Sequence, residues 1–267
     1  MLKGEIIDYI RALARTARLM SGYGWSERNA GNISMLLPCN GTEFPASAPK
    51  RSFRLSFDAS ELNGRVFLVT GTGEYFRNLA LSPKEKLGIV RVKGTELELL
   101  WGFQNGGAPT SEISAHLRSH AVRLRENPAH SVICHTHPTN LIAMSAVHSL
   151  DEREFTRTLW KQCSECLMFL PDGVGVLPWL PCGDDRIGAA TAEKMRGFRV
   201  VLWANHGIFA AGNGFDDALG SIEIAEKAAE LYLKTAHLPI RQNISDVQLL
   251  ELARLCKLSV KEGYLNV

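Results

Sequence analysis

Two pairs of short apolar runs constrain the fold of this chain more than any other feature. Residues 199–204 and 208–211 are mostly apolar and only 205–207 separate them, while 87–92 and 97–101 flank another short polar turn. Parallel strands need a crossover of a dozen or more residues, whereas antiparallel strands can be joined by a tight turn. The sequence therefore predicts antiparallel hairpins within a sheet, not a regular doubly wound parallel sheet.

Helical patterns surround these runs. Ile6, Ile10, Leu13 and Ala17 recur every three or four residues and form one buried stripe. Further helices are predicted at about 109–126, 139–147, 151–161, 184–195, 216–235 and 247–256, with strands at 66–70, 131–135 and 174–177. We expect one α/β domain over residues 1–267, with a central mostly antiparallel or mixed sheet flanked by helices. Residues 38–64 are predicted to be an irregular surface excursion that contains short strands.

Composition excludes several classes of protein. The 267 residues carry 30 Lys plus Arg against 28 Asp plus Glu, with a pI of about 8.2 and no basic cluster, so no nucleic-acid partner is expected. No apolar run reaches the 18 residues of a membrane span, and the charged first 20 residues do not resemble a signal peptide. Six cysteines are then expected as free thiols in a reducing cytoplasm.

Three histidines are candidate metal ligands. His135 and His137 lie at the end of an apolar strand, where residues two apart share one face, and His206 follows a later strand. Three imidazoles leave one tetrahedral position open, which is typical of catalytic zinc. The alternative is a pair of partly buried histidines that hydrogen-bond the backbone. A cupin or a metallo-β-lactamase is not supported by the residues that follow His137.

Three polar segments are candidate ligand sites. Thr110, Ser111 and Glu112 precede a predicted helix and can be read as its cap, or as an anion site with Glu112 as a proton shuttle. The segments 29–32 and 71–73 are glycine-containing turns that either present N–H groups to a phosphate or are ordinary turns. The remaining histidines are interpreted as structural, namely His116, His120, His130, His148 and His237.

Five motifs occur in one order along the chain. They are 27–34 (ERNAGNIS), 69–73 (VTGTG), 109–112 (PTSE), 135–140 (HTHPTN) and 205–207 (NHG). This series resembles the class II (zinc-dependent) aldolase, epimerase and adducin-head family, and the similarity runs from about residue 5 to residue 260. Thr72 and Ala30 depart conservatively from the family pattern, where Ser and a second Gly are common.

The resemblance implies a role for each matched residue. His135, His137 and His206 would bind one Zn²⁺ per subunit, and Glu112 would be the acid/base group beside it. Glu165, which lies between Cys163 and Cys166, would reach the site of a neighbouring subunit in a ring-shaped homotetramer. A further set would hold a substrate phosphate: Asn29, Gly31, Asn32, Thr72, Gly73, Thr110 and Ser111.

The implied activity is the reversible retro-aldol cleavage of a sugar phosphate through a zinc-stabilised enediolate. Within the same family, the alternatives are an aldolase for a different sugar phosphate or a 4-epimerase, which would rejoin the carbon–carbon bond. A non-catalytic interaction module like the adducin head is the alternative from another class of protein.

Overall fold

The computed structural model describes residues 4–39, 44 and 51–266. Within these ranges the α-helices are α1 (Gly4–Gly22), α2 (Pro83–Lys86), α3 (Ile113–Glu126), α4 (Thr139–Val147), α5 (Glu152–Trp160), α6 (Ser164–Phe169), α7 (Asp185–Lys194), α8 (Phe215–Thr235) and α9 (Asp246–Leu255). The strands are β1 (Asn32–Leu36), β2 (Ser52–Arg54), β3 (Val66–Thr70), β4 (Leu87–Lys93), β5 (Glu96–Gly102), β6 (Val132–Thr136), β7 (Gly175–Leu177), β8 (Val200–Trp203) and β9 (Gly207–Gly212).

The strands form one sheet in the order β2-β5-β4-β3-β1-β6-β9-β8-β7. Every pairing is antiparallel except that of β7 with β8, so the sheet is mixed. The two hairpins predicted from the short turns, β4–β5 and β8–β9, are confirmed. The expected α/β fold with a mostly antiparallel or mixed central sheet is confirmed as well.

Alternation along the strands divides the core between the two faces of the sheet. Cys134 of β6 and Ile33 of β1 belong to a cluster that includes apolar residues of α1, α4, α5, α6, α8 and α9. Ile133 and Phe209 point the other way and pack with residues of α3 and α7. Because His135 is two residues from Ile133, its side chain lies on the face covered by α3.

Two local expectations differ from the structure. The segment 29–32 was interpreted as a polar turn, yet Asn32 begins the central strand β1, which continues to Leu36. Helix α3 begins at Ile113 and not at Pro109, because the Thr110 N–H donates to the Thr70 carbonyl and Pro109 bridges Gly71. These backbone contacts extend the sheet up to the start of the helix.

The excursion at 38–64 is partly described, since residues 40–43 and 45–50 lie outside the described ranges. Its described part contains the expected short strand, β2. Leu55, Ala59 and Leu62 are nevertheless buried against β3, β4 and β5, so this part packs into the core as well as running over the surface. Over the described residues, none of the helices combines the length and apolarity needed to cross a membrane.

Candidate active site

Three histidines converge at one edge of the β6–β9 pair. His135 is on β6, His137 follows one residue after that strand, and His206 lies in the β8–β9 turn. The ligand atoms of the three side chains all lie within 4.8 Å of one another, which fits coordination of a single metal ion. The pairing of His135 with Phe209 brings the β8–β9 turn beside the His-x-His segment.

The turn that carries His206 leaves no room for a larger residue at its end. A Cβ at Gly207 would lie 2.5 Å from the Thr136 carbonyl oxygen and 2.8 Å from His137 Cδ2. Asn205 takes a left-handed conformation with φ 57°, and its N–H donates to Ser145 Oγ. The close approach of these two backbones places the His206 ring centroid 5.1 Å from that of His135 and 5.0 Å from that of His137.

Hydrogen bonds orient two of the rings for metal binding. His135 Nδ1 lies 3.0 Å from the Ile208 carbonyl oxygen, and His137 Nδ1 lies 2.7 Å from Glu27 Oε1. Both acceptors require the hydrogen on Nδ1, so each Nε2 keeps its lone pair for a metal. A metal-binding histidine usually donates its other ring N–H to a carbonyl or carboxylate oxygen, as these two rings do.

Burial keeps His135 and His206 neutral and therefore able to bind a cation. The pKa of His135, which is 1% exposed, is lowered well below the usual value by burial and by its two neighbouring imidazoles. Burial, followed by repulsion from His137, lowers the pKa of His206 to about 4. Unprotonated imidazoles are the form that coordinates metal ions.

Glu112 lies beside the histidine cluster at the start of α3. Its Oε2 is 3.4 Å from His135 Nε2 and accepts a hydrogen bond from Asn32 Nδ2 at 2.7 Å. Burial raises the pKa of this carboxyl group, although the Asn32 hydrogen bond opposes the shift. In the described structure its side chain makes no capping hydrogen bond to α3. A buried carboxyl group with a raised pKa, next to the histidine cluster, fits the proton-shuttle interpretation better than the cap.

The structure also joins two of the predicted phosphate-binding segments. The Thr72 N–H donates to the Ala108 carbonyl, and the neighbouring Gly71–Pro109 bridge holds the segments 71–73 and 109–111 side by side. In this part of the site, Thr72, Gly73 and Ser111 are exposed, whereas Thr110 is buried and its Oγ1 accepts from the Glu112 N–H.

The third predicted phosphate-binding segment reaches the histidine cluster through β1. Asn32 is paired with His135 across the sheet. Gly31 has φ 85°, and a Cβ there would lie 3.0 Å from the Phe76 ring and 3.1 Å from the His135 carbonyl oxygen, so the glycine allows this close approach. Asn29, three residues before β1, is exposed.

Glu165 is separate from this cluster. It lies in helix α6 and is exposed. The elements packed against α6 are α5, α8 and α9, and within the described ranges no hydrogen bond or ion pair joins Glu165 to the three histidines.

Sequence reasoning missed two features of the site. Glu27 received no role, although it orients His137, and no spacing in the sequence marks it. His116 was read as structural, yet its Nε2 meets the Asn32 side chain. A signal for His116 existed, because Glu112, His116 and His120 recur every four residues and so share one face of α3.

The class II aldolase and adducin N-terminal domain family matches residues 11–233 of the chain. The protein belongs to this family, as its fold and its three-histidine cluster beside a buried glutamate already indicated.

Among individual relatives, the rhamnulose-1-phosphate aldolase of Enterococcus faecalis is 46% identical over 264 residues, covering 97% of this chain and 94% of that protein. The rhamnulose-1-phosphate aldolase of Yersinia pseudotuberculosis is 43% identical over 92% of each chain. A solved structure, a sugar-phosphate aldolase from Thermotoga maritima, superposes with a TM-score of 0.78 at 32% identity, covering 90% of this chain and 99% of the other.

Proposed function

We propose that this chain is an aldehyde-lyase that reversibly cleaves L-rhamnulose 1-phosphate to dihydroxyacetone phosphate and L-lactaldehyde. The observation that supports this choice of substrate is the 46% identity over 97% of the chain to a rhamnulose-1-phosphate aldolase. Residues 25–29, 75–78 and 171–175 also resemble the corresponding segments of rhamnulose-1-phosphate aldolases, which supports the same assignment. The reaction type is supported by the three-histidine cluster with a buried carboxyl group 3.4 Å away.

The proposed cofactor is one Zn²⁺ per subunit, held by His135, His137 and His206. The donor set fits this ion, because three neutral imidazoles with one open position are a common catalytic zinc site. When bound, Zn²⁺ would act as a Lewis acid and stabilise the negative charge that develops on the substrate oxygens. The Ile208 carbonyl and Glu27 would hold the first two rings in place.

Glu112 is proposed to handle the proton of the reaction. Cleavage removes the proton of the C4 hydroxyl, breaks the C3–C4 bond and returns a proton to C3. A carboxyl group whose pKa is raised by burial accepts a proton more readily than an exposed one and can release it again. The hydrogen bond from Asn32 holds one carboxyl oxygen in a defined position, 2.7 Å from the amide nitrogen.

The phosphate of the substrate is proposed to bind at the paired polar segments. Asn29, Thr72, Gly73 and Ser111 are exposed there. The three remaining members of the proposed phosphate set, Gly31, Asn32 and Thr110, lie at the base of the same region. Exposed hydroxyl and N–H donors suit a phosphate, which offers only acceptor oxygens at neutral pH.

The proposal includes an assembly. We propose a homotetramer in which Glu165 acts at the site of an adjacent subunit, on the aldehyde oxygen. Its exposed position on α6, away from its own chain's cluster, is compatible with this role. The whole chain, 1–267, would act as one catalytic domain. A cytoplasmic location is supported by unoxidised thiols at Cys134, Cys163, Cys166, Cys182 and Cys256.

The test is an incubation of the zinc-loaded protein with a panel of ketose 1-phosphates. Release of dihydroxyacetone phosphate from L-rhamnulose 1-phosphate, with the highest kcat/KM of the panel, is expected. Preference for another ketose would refute the substrate. Interconversion of 4-epimers without release of dihydroxyacetone phosphate would indicate an epimerase, and no turnover at all would indicate a non-catalytic module.

A further inference from the structure

A buried chain of hydrogen bonds runs away from the candidate active site along one face of α3. From Glu112 it passes to Asn32, then to His116, Ser34 and His120. Asn32 Oδ1 lies 2.5 Å from His116 Nε2, and Ser34 Oγ lies 2.6 Å from His116 Nδ1 and 2.8 Å from His120 Nε2. Both histidines and Ser34 are fully buried.

We infer that His116 is a positioning residue that fixes the amide orientation of Asn32 and thereby the position of the Glu112 carboxyl group. The inference rests on the proposed function, in which Glu112 handles the proton. It extends that function to residues that have no contact with the three metal-binding histidines through any hydrogen bond of the described structure.

The donor and acceptor in each of these hydrogen bonds can be assigned from the end of the network that is farthest from Glu112. His120 Nδ1 is buried without a hydrogen-bond partner among the described residues. A hydrogen on that nitrogen would be an orphaned buried donor, which proteins avoid, so the hydrogen of His120 lies on Nε2 and is donated to Ser34 Oγ. The Ser34 hydroxyl must then donate its only hydrogen to His116 Nδ1, because this nitrogen is the one remaining hydrogen-bond partner of Ser34 Oγ among the described residues.

The direction then continues to the active site. His116 Nδ1 accepts, so its hydrogen lies on Nε2 and is donated to Asn32 Oδ1. The Asn32 amide nitrogen therefore faces Glu112 and donates to Oε2. In the opposite direction the Asn32 oxygen would lie 2.7 Å from Glu112 Oε2, and only a protonated Glu112 could supply a hydrogen between them. Burial lowers the pKa of His116 to about 3, so the ring stays neutral and keeps one donor and one acceptor.

Two substitutions of similar size separate positioning from general packing. In His116→Phe the ring can still pack on Phe209, whose centroid is 5.1 Å away, but the donor to Asn32 is lost. His120→Phe is the matched control, since this ring is equally buried on the same helix and packs on Phe67 at 4.9 Å. It leaves the Ser34 hydrogen free for His116.

For zinc-loaded full-length protein, kcat of His116→Phe is expected to fall about 10–100-fold, as for other residues that orient a catalytic group. KM for the sugar phosphate and zinc content should change little, and kcat of His120→Phe should fall clearly less than that of His116→Phe, because the donor to Asn32 is kept. His116→Gln, which retains a donor and an acceptor, should recover most of the loss. A folded His116→Phe protein with normal kcat, or an equal loss of kcat in His120→Phe, would overturn the inference.

A second measurement does not depend on activity or on the folding of any variant. ¹⁵N-histidine NMR of the wild-type protein near pH 7 should show His116 as a neutral ring with its hydrogen on Nε2 and with an unprotonated Nδ1. A His116 ring protonated on Nδ1 would overturn the inference even if the aldolase reaction is observed. If the wild-type protein cleaves no ketose 1-phosphate, the proposed function fails, and the NMR result still decides the hydrogen-bond direction.

Discussion

Replacing Glu112 by glutamine removes a charge and a proton acceptor while keeping the length of the side chain. The Asn32 amide, which donates to Glu112 at 2.7 Å, could donate to the new amide oxygen in the same way. Position 112 precedes α3, but its carboxylate makes no capping bond to that helix in the described structure, so no cap is lost. The substitution therefore changes proton handling and little else.

The expected loss of rate follows from the role of Glu112 beside His135. Proton transfer by a positioned side chain contributes about 10²–10⁴ in rate, so kcat of Glu112→Gln should fall by that factor. At about 1.36 kcal/mol for each tenfold change, the activation barrier rises by roughly 2.7–5.4 kcal/mol. A carboxylate that acted only through the helix dipole would instead contribute about 0.3–1 kcal/mol to stability and nothing to turnover.

Stability is expected to change in the opposite direction from activity. Burial raises the pKa of Glu112 in the folded protein, so the unfolded chain loses this proton at lower pH than the folded chain does. For such a carboxyl group, folding stability decreases as the pH rises through the folded pKa. At pH above that value the buried charge destabilises the metal-free protein, and the neutral glutamine removes this penalty. The Tm of metal-free Glu112→Gln should equal or exceed that of the wild-type protein.

The assay combines kcat from dihydroxyacetone phosphate release, zinc content by elemental analysis and Tm without metal. Glu126→Gln is the control, because Glu126 is an exposed residue at the opposite end of α3 and its substitution should leave kcat unchanged. A zinc-loaded Glu112→Gln protein with normal kcat would refute the assigned role. A lowered Tm without loss of kcat would support the helix-dipole interpretation instead.

Four further outcomes are expected. A chelator should abolish activity and zinc should restore it, while borohydride with substrate should trap no lysine adduct; a covalent adduct would argue against metal dependence. Glu27→Ala should weaken zinc affinity about 10–100-fold, measured by competition with a chelator, because the His137 ring loses its acceptor. Gly207→Ala should lower the free energy of unfolding by about 1–3 kcal/mol in denaturant titrations, since a Cβ there would lie 2.5 Å from a backbone oxygen. Glu165→Ala should lower turnover but not zinc content, and refolding it together with inactive His206→Ala should restore some activity; recovery no greater than the sum of the two parents would place Glu165 outside a shared site.

Much of the fold could be predicted because its information is local. The hairpin partners β4 and β5 are only two residues apart in sequence, so the turn between Lys93 and Glu96 defines their pairing. The same reasoning places β8 beside β9. Helices such as α4 and α8 were predicted within a residue or two of their observed ends, since the preference of their residues for a helix is a property of the segment itself.

Strand β1 was not predicted, because its pairing is remote in the sequence. Asn32 pairs with His135, more than a hundred residues later, and Ser34 pairs with Val69. Helix α6, which carries Glu165, was not predicted either, because its apolar residues fit a short helix as well as a strand. Only packing against α5, α8 and α9 decides between the two.

The sequence by itself determined which residues could bind a metal, since the His-x-His spacing of His135 and His137 places both on one side of a strand. It did not determine what surrounds them. The tertiary structure brought His206 beside His135 and His137 through the β6–β9 pairing. It also placed Glu112 Oε2 3.4 Å from His135 Nε2 and connected Glu112 to His116 through Asn32. These contacts join residues on different elements; Asn32, for example, is 80 positions from Glu112 and 84 from His116. No local periodicity encodes them, because they form only when the sheet and α3 pack together.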